Sequence, residues 1–329
     1  MSEAATRTSR DEVLAELEGA QRFLLVTHEN PDGDAIGSLV AMRGVLQELG
    51  KNVVMFLAPD ELPLPYEYDF LDLDGLVTTL PDDLSDRVVV FLDCGNIDRN
   101  PIAGAWSDGA HVLNIDHHHD NTRFGTVNHV DDEASCTAEI IWDLMGDLGV
   151  QARGAVAEAL YVGLVTDTGR FMYENTGSRA HMMAADLLAA GVVVQDIFRR
   201  LYEDMPYAKL QLLARALEAV ERLDGGRLTL SWLRCADFTE TEAEESHSEG
   251  VIDHLRAVEG TKVAALVRVR GKDDGRKVSL RATDDDVDVS RIARAQGGGG
   301  HRRAAGFTTS LDDDALREFL RDAVDRQLT

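Results

Sequence analysis

Four short apolar runs, Arg22 to Thr27, Asn52 to Leu57, Arg87 to Leu92 and His111 to Ile115, alternate with helically spaced segments in the first half of the chain. Runs of this length, rich in Val, Leu and Phe and bounded by turn formers, read as strands. Their alternation with helices restricts this half to a mostly parallel sheet flanked by helices, an α/β fold. Between the first two runs, Ile36, Leu39, Val40, Leu46 and Leu49 recur on one helical face before Gly50, which completes a βαβ unit. Glu133 to Leu148, Ala155 to Val165 and Ser178 to Ala190 read as further helices, the last ended by Gly191.

The order of elements changes after about residue 205. Tyr207 to Leu223 carries Leu210, Leu213, Leu217 and Val220 on one stripe and stops at Asp224-Gly225-Gly226, so it reads as a helix bridging two domains. Beyond it lie a strand at Arg227 to Leu233, an acidic loop over Thr239 to Glu249 and paired strands at Lys262 to Arg270 and Arg276 to Ala282. Helices at Val289 to Ala295 and Asp312 to Gln327 follow. The expected organisation is a first domain over residues 1–204, a helical linker over 205–224 and a smaller α+β domain over 225–329. A chain of 329 residues suits two cores better than one.

Charge narrows the partners. The net charge is −26, yet residues 261–303 hold eleven Lys or Arg against six Asp or Glu. Such a chain repels long polyanions, whose binding needs many cationic contacts to phosphates, while its one basic stretch suits a local phosphate contact. A solvated strand pair is the plain alternative for that stretch. Cys94, Cys136 and Cys235 are scattered and odd in number, which argues for a reducing compartment. No apolar run approaches the roughly 18 residues of a membrane span, and the N-terminal segment lacks the pattern of a secretory signal. The expectation is a cytoplasmic protein without membrane contact.

Four segments concentrate acidic and imidazole side chains at element ends. His28-Glu29-Asn30-Pro31-Asp32-Gly33-Asp34 follows the first strand, and Asp93 ends the third. Asp116-His117-His118-His119 ends the fourth strand, and Thr166-Asp167-Thr168-Gly169-Arg170 ends a helix. Loops at the carboxyl ends of strands are where open α/β sheets bind ligands. Carboxylates crowded there repel one another unless a cation neutralises them. Each segment also has an ordinary reading: Asp32-Gly33 as a turn with Asp34 as a helix N-cap, Asp93 as a turn aspartate, and Thr166 to Arg170 as a helix stop. Cys94 reads as buried filler. Together, the oxygen and imidazole donors without thiolate suit Mn²⁺, Mg²⁺ or Co²⁺ better than structural zinc.

The ordered segments HENPDGD, FLDCGN, IDHH, TDTGRF and GGGGHRRAAGF resemble the DHH/DHHA1 phosphoesterase superfamily over nearly the whole chain. The branch they resemble comprises nanoRNases that also act as 3′-phosphoadenosine-5′-phosphate (pAp) phosphatases. The resemblance implies two divalent cations, with Mn²⁺ the expected ion. One would be held by His28, Asp32 and Asp93, the other by Asp34, Asp93, His117 and Asp167, with Asp93 bridging. It implies that His118 faces the scissile phosphate and that Asp116 orients it. Gly298, Gly299, Gly300, His301 and Arg281 would grip substrate across a cleft between the domains, with a further contact from Arg99.

The implied reaction is in-line attack of activated water on short oligoribonucleotides, giving nucleoside 5′-monophosphates, or on pAp, giving AMP and phosphate. Relatives suggest a homodimer formed through the catalytic domain. Three other readings stay open: a phosphodiesterase for cyclic or linear dinucleotides with the same centre, an inorganic pyrophosphatase, and a non-catalytic nucleotide sensor. The glycine run argues against the pyrophosphatase and the intact ligand set against the sensor.

Overall fold

The computed structural model describes residues 3–102, 110–269, 275–284, 286–300 and 302–328. It divides into two compact units, Met1–Asp204 and Met205–Thr329. Among the described residues no single helix is long and apolar enough to cross a membrane.

The first unit opens with helix α1 (Glu3–Gly19) and strand β1 (Arg22–Val26), followed by α2 (Gly33–Glu48), β2 (Asn52–Phe56), β3 (Leu76–Val77), β4 (Val88–Leu92), β5 (Val112–Asp116) and β6 (Val127–Val130). Four helices complete it: α3 (Thr137–Asp147), α4 (Gly154–Asp167), α5 (Ser178–Ala189) and α6 (Val194–Tyr202). The sheet order is β3-β2-β1-β4-β5-β6, and every pairing is parallel. Alternation along the strands sorts the two faces. Phe23, Leu25, Val90, Leu92, Leu113 and Ile115 pack with α1 to α5 in the main core. Leu24, Val26, Val89, Phe91 and Val112 face the other way, where Ile102, Ala110 and Phe124 from connecting segments close over them. Strand order reverses between β1 and β4. Such switch points leave a crevice at the carboxyl ends of the strands.

Glycine lets the elements around that crevice approach closely. A Cβ on Gly33 of α2 would lie 2.4 Å from Thr166 Oγ1, and one on Gly163 of α4 would lie 2.6 Å from Asp34 Oδ1. The contact between α2 and α4 therefore sets how near Asp34 comes to the end of α4.

The second unit comprises α7 (Tyr207–Glu218), β7 (Glu221–Leu223), β8 (Leu228–Arg234), α8 (Cys235–Thr241), α9 (Val251–Arg256), β9 (Val263–Val269) and β10 (Arg276–Ala282). It ends with α10 (Val289–Arg294), β11 (Gly299–Gly300), β12 (Ala304–Thr309) and α11 (Asp313–Leu328). Its sheet runs β11-β12-β10-β9-β8-β7, antiparallel except for β8 with β9. Leu230, Trp232, Val267, Leu280 and Phe307 pack beneath α10 and α11 on one face. Leu233, Ala264 and Leu266 pack on the other beneath α7 and α9.

The stretch 205–224, expected as a helical linker, does not run as one helix. Here α7 ends at Glu218, buries Leu212 and Ala216 in the second unit's core, and gives way to β7. The apolar stripe expected to bridge domains lies partly in the open, with Leu210 and Leu217 exposed. The expected loop over Thr239 to Glu249 is largely ordered: α8 runs to Thr241, and Glu245–Ser248 forms a 3-10 turn.

Candidate metal centre

Asp93 follows β4 directly, with its backbone in the left-handed region at φ 58° and its side chain 2% exposed. That conformation is costly for a residue with a Cβ and turns the carboxylate out of the strand's alternation. Oδ2 lies 3.6 Å from His28 Nε2, while Oδ1 lies 3.5 Å from His117 Nε2 and 3.7 Å from His118 Nδ1. Thr137 Oγ1 at the start of α3 donates to Oδ1 at 3.1 Å. Burial alone would raise the pKa of Asp93, but the neighbouring imidazoles of His28, His117 and His118 hold it well below the usual carboxylate range.

Two donor groups share this carboxylate. His28, Asp32 and Asp93 bring one donor atom each within 4.8 Å of one another, and so do Asp93, His117 and His118. His28 ends β1, nearly fully buried, with Nε2 toward Asp93 and Nδ1 2.8 Å from the Glu29 carbonyl. A backbone carbonyl on the far nitrogen orients a metal-ligating imidazole. Burial disfavours the imidazolium of His28, yet the close carboxylate of Asp93 prevails and its pKa rises.

Asp32, not Asp34, is the N-cap of α2: its Oδ1 accepts from the amides of Asp34 and Ala35 at 3.1 Å each. Such a cap contributes about 1 kcal/mol. Oxygens left over from the cap remain for a cation. Asp34 caps a different helix. Its Oδ2 accepts from the Thr137 amide at 2.6 Å and its Oδ1 from the Ala138 amide at 3.0 Å, so the carboxylate sits on the N-terminus of α3. Burial, with Asp93 and Asp167 nearby, pushes its pKa well up. Asp34 belongs to neither of the two close donor groups.

At the end of α4, Asp167 places Oδ2 3.7 Å from His117 Nε2. Burial and the charges of Asp93 and Asp32 raise its pKa as well. Four carboxylates, Asp32, Asp34, Asp93 and Asp167, thus crowd one crevice, and burial and mutual repulsion make two of them, Asp34 and Asp167, resist ionisation. A divalent cation would reverse that preference, so the donor set fits the metal that the sequence implies.

His118 donates through Nδ1 to Asp116 Oδ1 at 2.8 Å, and Asp116, fully buried, also accepts from Asn121 Nδ2. Burial opposes the charge on His118, but Asp116 and Asp93 outweigh it and carry its pKa to about 10. His119 is exposed and belongs to neither donor group among the described residues. Cys94 is buried with its thiol pushed up to about 12, chiefly by burial, which excludes it as a ready nucleophile.

Arg99, expected to touch substrate, stands against the centre. Its Nη2 donates to the Glu29 carbonyl at 3.0 Å and approaches His28 Nδ1, and its own carbonyl accepts from the Glu29 amide. Two supporting residues escaped the sequence. Thr137 binds Asp93 through its hydroxyl and Asp34 through its amide; the small polar run Ser135-Cys136-Thr137 before α3 was its only signal. Asn175 Nδ2 donates to Asp167 Oδ2 at 3.1 Å, to the Asp167 carbonyl at 3.2 Å and to the Ser135 carbonyl at 2.8 Å. No pattern marks it, because its position depends on the Gly169 to Thr176 segment folding back on α4.

In the second unit, Gly299 and Gly300 form β11 and pair with Gly306 and Ala305 of β12. A Cβ on Gly298 would meet the Gly306 carbonyl at 2.2 Å, and one on Gly300 would meet the Ala304 carbonyl at 2.5 Å. These two glycines are required by packing against β12. Gly299 is exposed, and a Cβ there would meet nothing within 4 Å. Arg281 lies on β10, half-buried, opposite Ala304. His301 lies outside the described residues.

A parallel sheet that gathers imidazoles and carboxylates at its switch point, followed by a mixed-sheet unit bearing a glycine strand, defines a DHH-type protein. The model of the DHH family, N-terminal domain, matches residues 22–164, the DHHA1 domain matches residues 228–329, and the chain belongs to this DHH/DHHA1 family. Among its relatives is the Thermus thermophilus bifunctional oligoribonuclease and PAP phosphatase NrnA, 35% identical over 97% of this chain and 93% of that protein. The crystal structure of an exopolyphosphatase-related protein from Bacteroides fragilis superposes with a TM-score of 0.85 at 22% identity, over 97% of this chain and 96% of that one. RecJ from Thermus thermophilus, crystallised in complex with Mn²⁺, gives a TM-score of 0.56 at 15% identity over 98% of this chain and 54% of that chain.

Proposed function

We propose that this protein is a metal-dependent hydrolase of phosphate esters in very short ribonucleotides. It releases nucleoside 5′-monophosphates from oligoribonucleotides, and AMP and phosphate from pAp. The observation that carries this reading is Asp93, one buried carboxylate shared by two donor groups that approach it from opposite oxygens. The name of the Thermus thermophilus relative supports the substrates.

His28, Asp32 and Asp93 would hold one cation, and Asp34, Asp93, His117 and Asp167 the other. A carboxylate offers about four lone-pair sites, so Asp34 can serve α3 and a cation together. Mn²⁺ is the ion we assign, with Mg²⁺ and Co²⁺ matching the same donors. Cations bound there supply Lewis acidity, which lowers the pKa of water and neutralises phosphoryl oxygens. His118, oriented by Asp116 at Nδ1, would stabilise the charge that develops on the phosphoryl or leaving oxygen. Arg281, the exposed Gly299 and His301 bind the nucleotide in the second unit, and Arg99 keeps His28 in place. We assign the protein to the cytoplasm as a homodimer.

The test is a Mn²⁺-supplemented panel of pAp, RNAs from two nucleotides upward, pApA and cyclic di-AMP, with products separated by chromatography. Turnover should be greatest on pAp and on RNAs of two to five nucleotides and should require Asp93. Preference for cyclic di-AMP would move the protein to the dinucleotide phosphodiesterases. Undiminished activity of Asp93→Ala would remove the two-cation model.

A further inference from the structure

We propose that a cavity at the carboxyl ends of β8 and β9 is a phosphate subsite built on Arg268, and that it receives the 5′-phosphate of a short oligoribonucleotide. The proposal rests on the nucleotide reading above and adds a residue that sets substrate preference. The cavity holds about 330 Å³ and is lined by Cys235, Phe238, Thr239, Ala243, Glu245 and Arg268. It occupies the place where β8 turns into α8 beside the end of a parallel neighbour, the position at which parallel strands present ligands.

Arg268 is 9% exposed. Nη1 donates to Ser248 Oγ at 3.1 Å and Nη2 to Ser279 Oγ, while Nε has no hydrogen-bond partner. Both acceptors are neutral hydroxyls, and no carboxylate pairs with this guanidinium within 4.0 Å among the described residues. Five donors with two used leave three N–H groups on a buried cation. Burial lowers the pKa of Arg268, and the only attractive charge acting on it, Glu249, makes no direct pair with it and does not offset that burial, so the guanidinium is held at a cost in its cavity wall. The core beside it, Leu233, Ala264, Leu266 and Val251, is apolar and complete without it. A guanidinium fork with free donors in a cavity wall matches a phosphate, which accepts through several oxygens at once. Glu245 on the rim is drawn aside by Lys277, whose Nζ lies 3.4 Å from its Oε1.

Strand register connects this cavity with the glycine strand. Arg268 opposes Lys277; Ser279, two residues further along β10, opposes Gly306, and Gly306 opposes Gly299. Directly opposed residues point to the same face, and residues two apart on a strand share it. Ser279 and Gly299 are therefore two strand spacings apart, roughly 10 Å, on one face. Arg268 itself stands on β9, three strand spacings or roughly 14 Å from β11, and its guanidinium reaches back to Ser279, which brings it within the span of an extended dinucleotide whose body lies on Gly299.

The experiment compares pApA with ApA in wild type, Arg268→Met and Arg268→Lys, with Mn²⁺ present and melting temperatures measured. Wild type should show a KM about tenfold lower for pApA, the worth of one well-placed charged contact. Arg268→Met should raise the KM for pApA to that for ApA, leave ApA unchanged and melt no lower than wild type. Arg268→Lys should keep part of the preference. Equal loss on both substrates, or full preference in Arg268→Met, overturns the proposal. Should Arg268→Met fail to fold, Arg268→Lys decides by the same comparison. If wild type cleaves neither dinucleotide, the hydrolase reading fails separately, and calorimetric titration of both dinucleotides into the EDTA-treated proteins decides the pocket. Tighter pApA in wild type but not in the variant upholds it, and equal binding overturns it.

Discussion

The two units handle charge in opposite ways. The first buries carboxylates and imidazoles at the mouth of a parallel sheet, where Asp34 and Asp93 are nearly inaccessible and the charges demand a cation. The second spreads cationic and glycine residues across the face and edge of a mostly antiparallel sheet, where Gly299 is exposed and Arg281 half-buried. Chemistry needs water excluded and donors fixed to a fraction of an ångström; recognition of a short, polar ligand needs an accessible surface. On the proposed function, bond breaking falls to the first unit and substrate choice to the second.

The sharpest way to break that division is Asp93→Ala. Loss of the shared carboxylate should lower kcat/KM on pAp by about 10³-fold or more, and Mn²⁺ titration followed by electron paramagnetic resonance should show weakened binding. A loss confined to KM would contradict it. Acid stability offers a second contrast, because burial holds the His129 imidazole in the first unit down to about 4, beside Ser9 Oγ at 3.1 Å. The unfolded chain takes up a proton below about 6.5 that the folded chain refuses. Stability is therefore intact above pH 6.5 and falls as the pH drops toward 4, by on the order of 3 kcal/mol for this group. Urea unfolding of His129→Gln across that range should show a correspondingly flatter pH dependence.

A smaller effect is expected on the recognition side. Arg281→Ala should raise KM for pAp by about 10- to 100-fold with kcat nearly kept, the reverse of the Asp93 pattern. Smallest of all, Thr137→Val should cost about tenfold in kcat by freeing Asp93 Oδ1 from its hydroxyl, and Thr137→Ser should recover it. If Thr137→Val changes KM alone, α3 does not position the shared carboxylate.

Much of the first unit was legible because its strands β1, β2, β4 and β5 are continuous apolar runs, and a sheet buried on both faces requires them. Strand β6, with the sequence VNHV, and β12, interrupted by Gly306, carry too weak a pattern to be read; pairing with a neighbour makes them strands. Helices α8 and α9 span seven and six residues, too few for periodicity to accumulate. In the centre, His28, Asp93 and His117 could be read from their place at strand ends. The reversal of caps could not be: Asp32 and Asp34 are equally good capping residues, and only the arrival of the α3 amides decides that Asp34 serves a helix a hundred residues away.

The sequence by itself determined which residue types stand at the ends of which elements, because apolar runs and turn residues dictate strand ends locally. Only the tertiary structure decided how those ends meet. Switching strand order between β1 and β4 brings His28 to Asp93. Close packing of α2 on α4 through Gly33 and Gly163 fixes how near Asp34 stands to the end of α4. Register across β9, β10, β12 and β11 places Ser279, the hydrogen-bond partner of Arg268, on the same face as Gly299. Local propensity acts over a few residues, whereas these distances are set by backbone contacts between segments far apart in the chain.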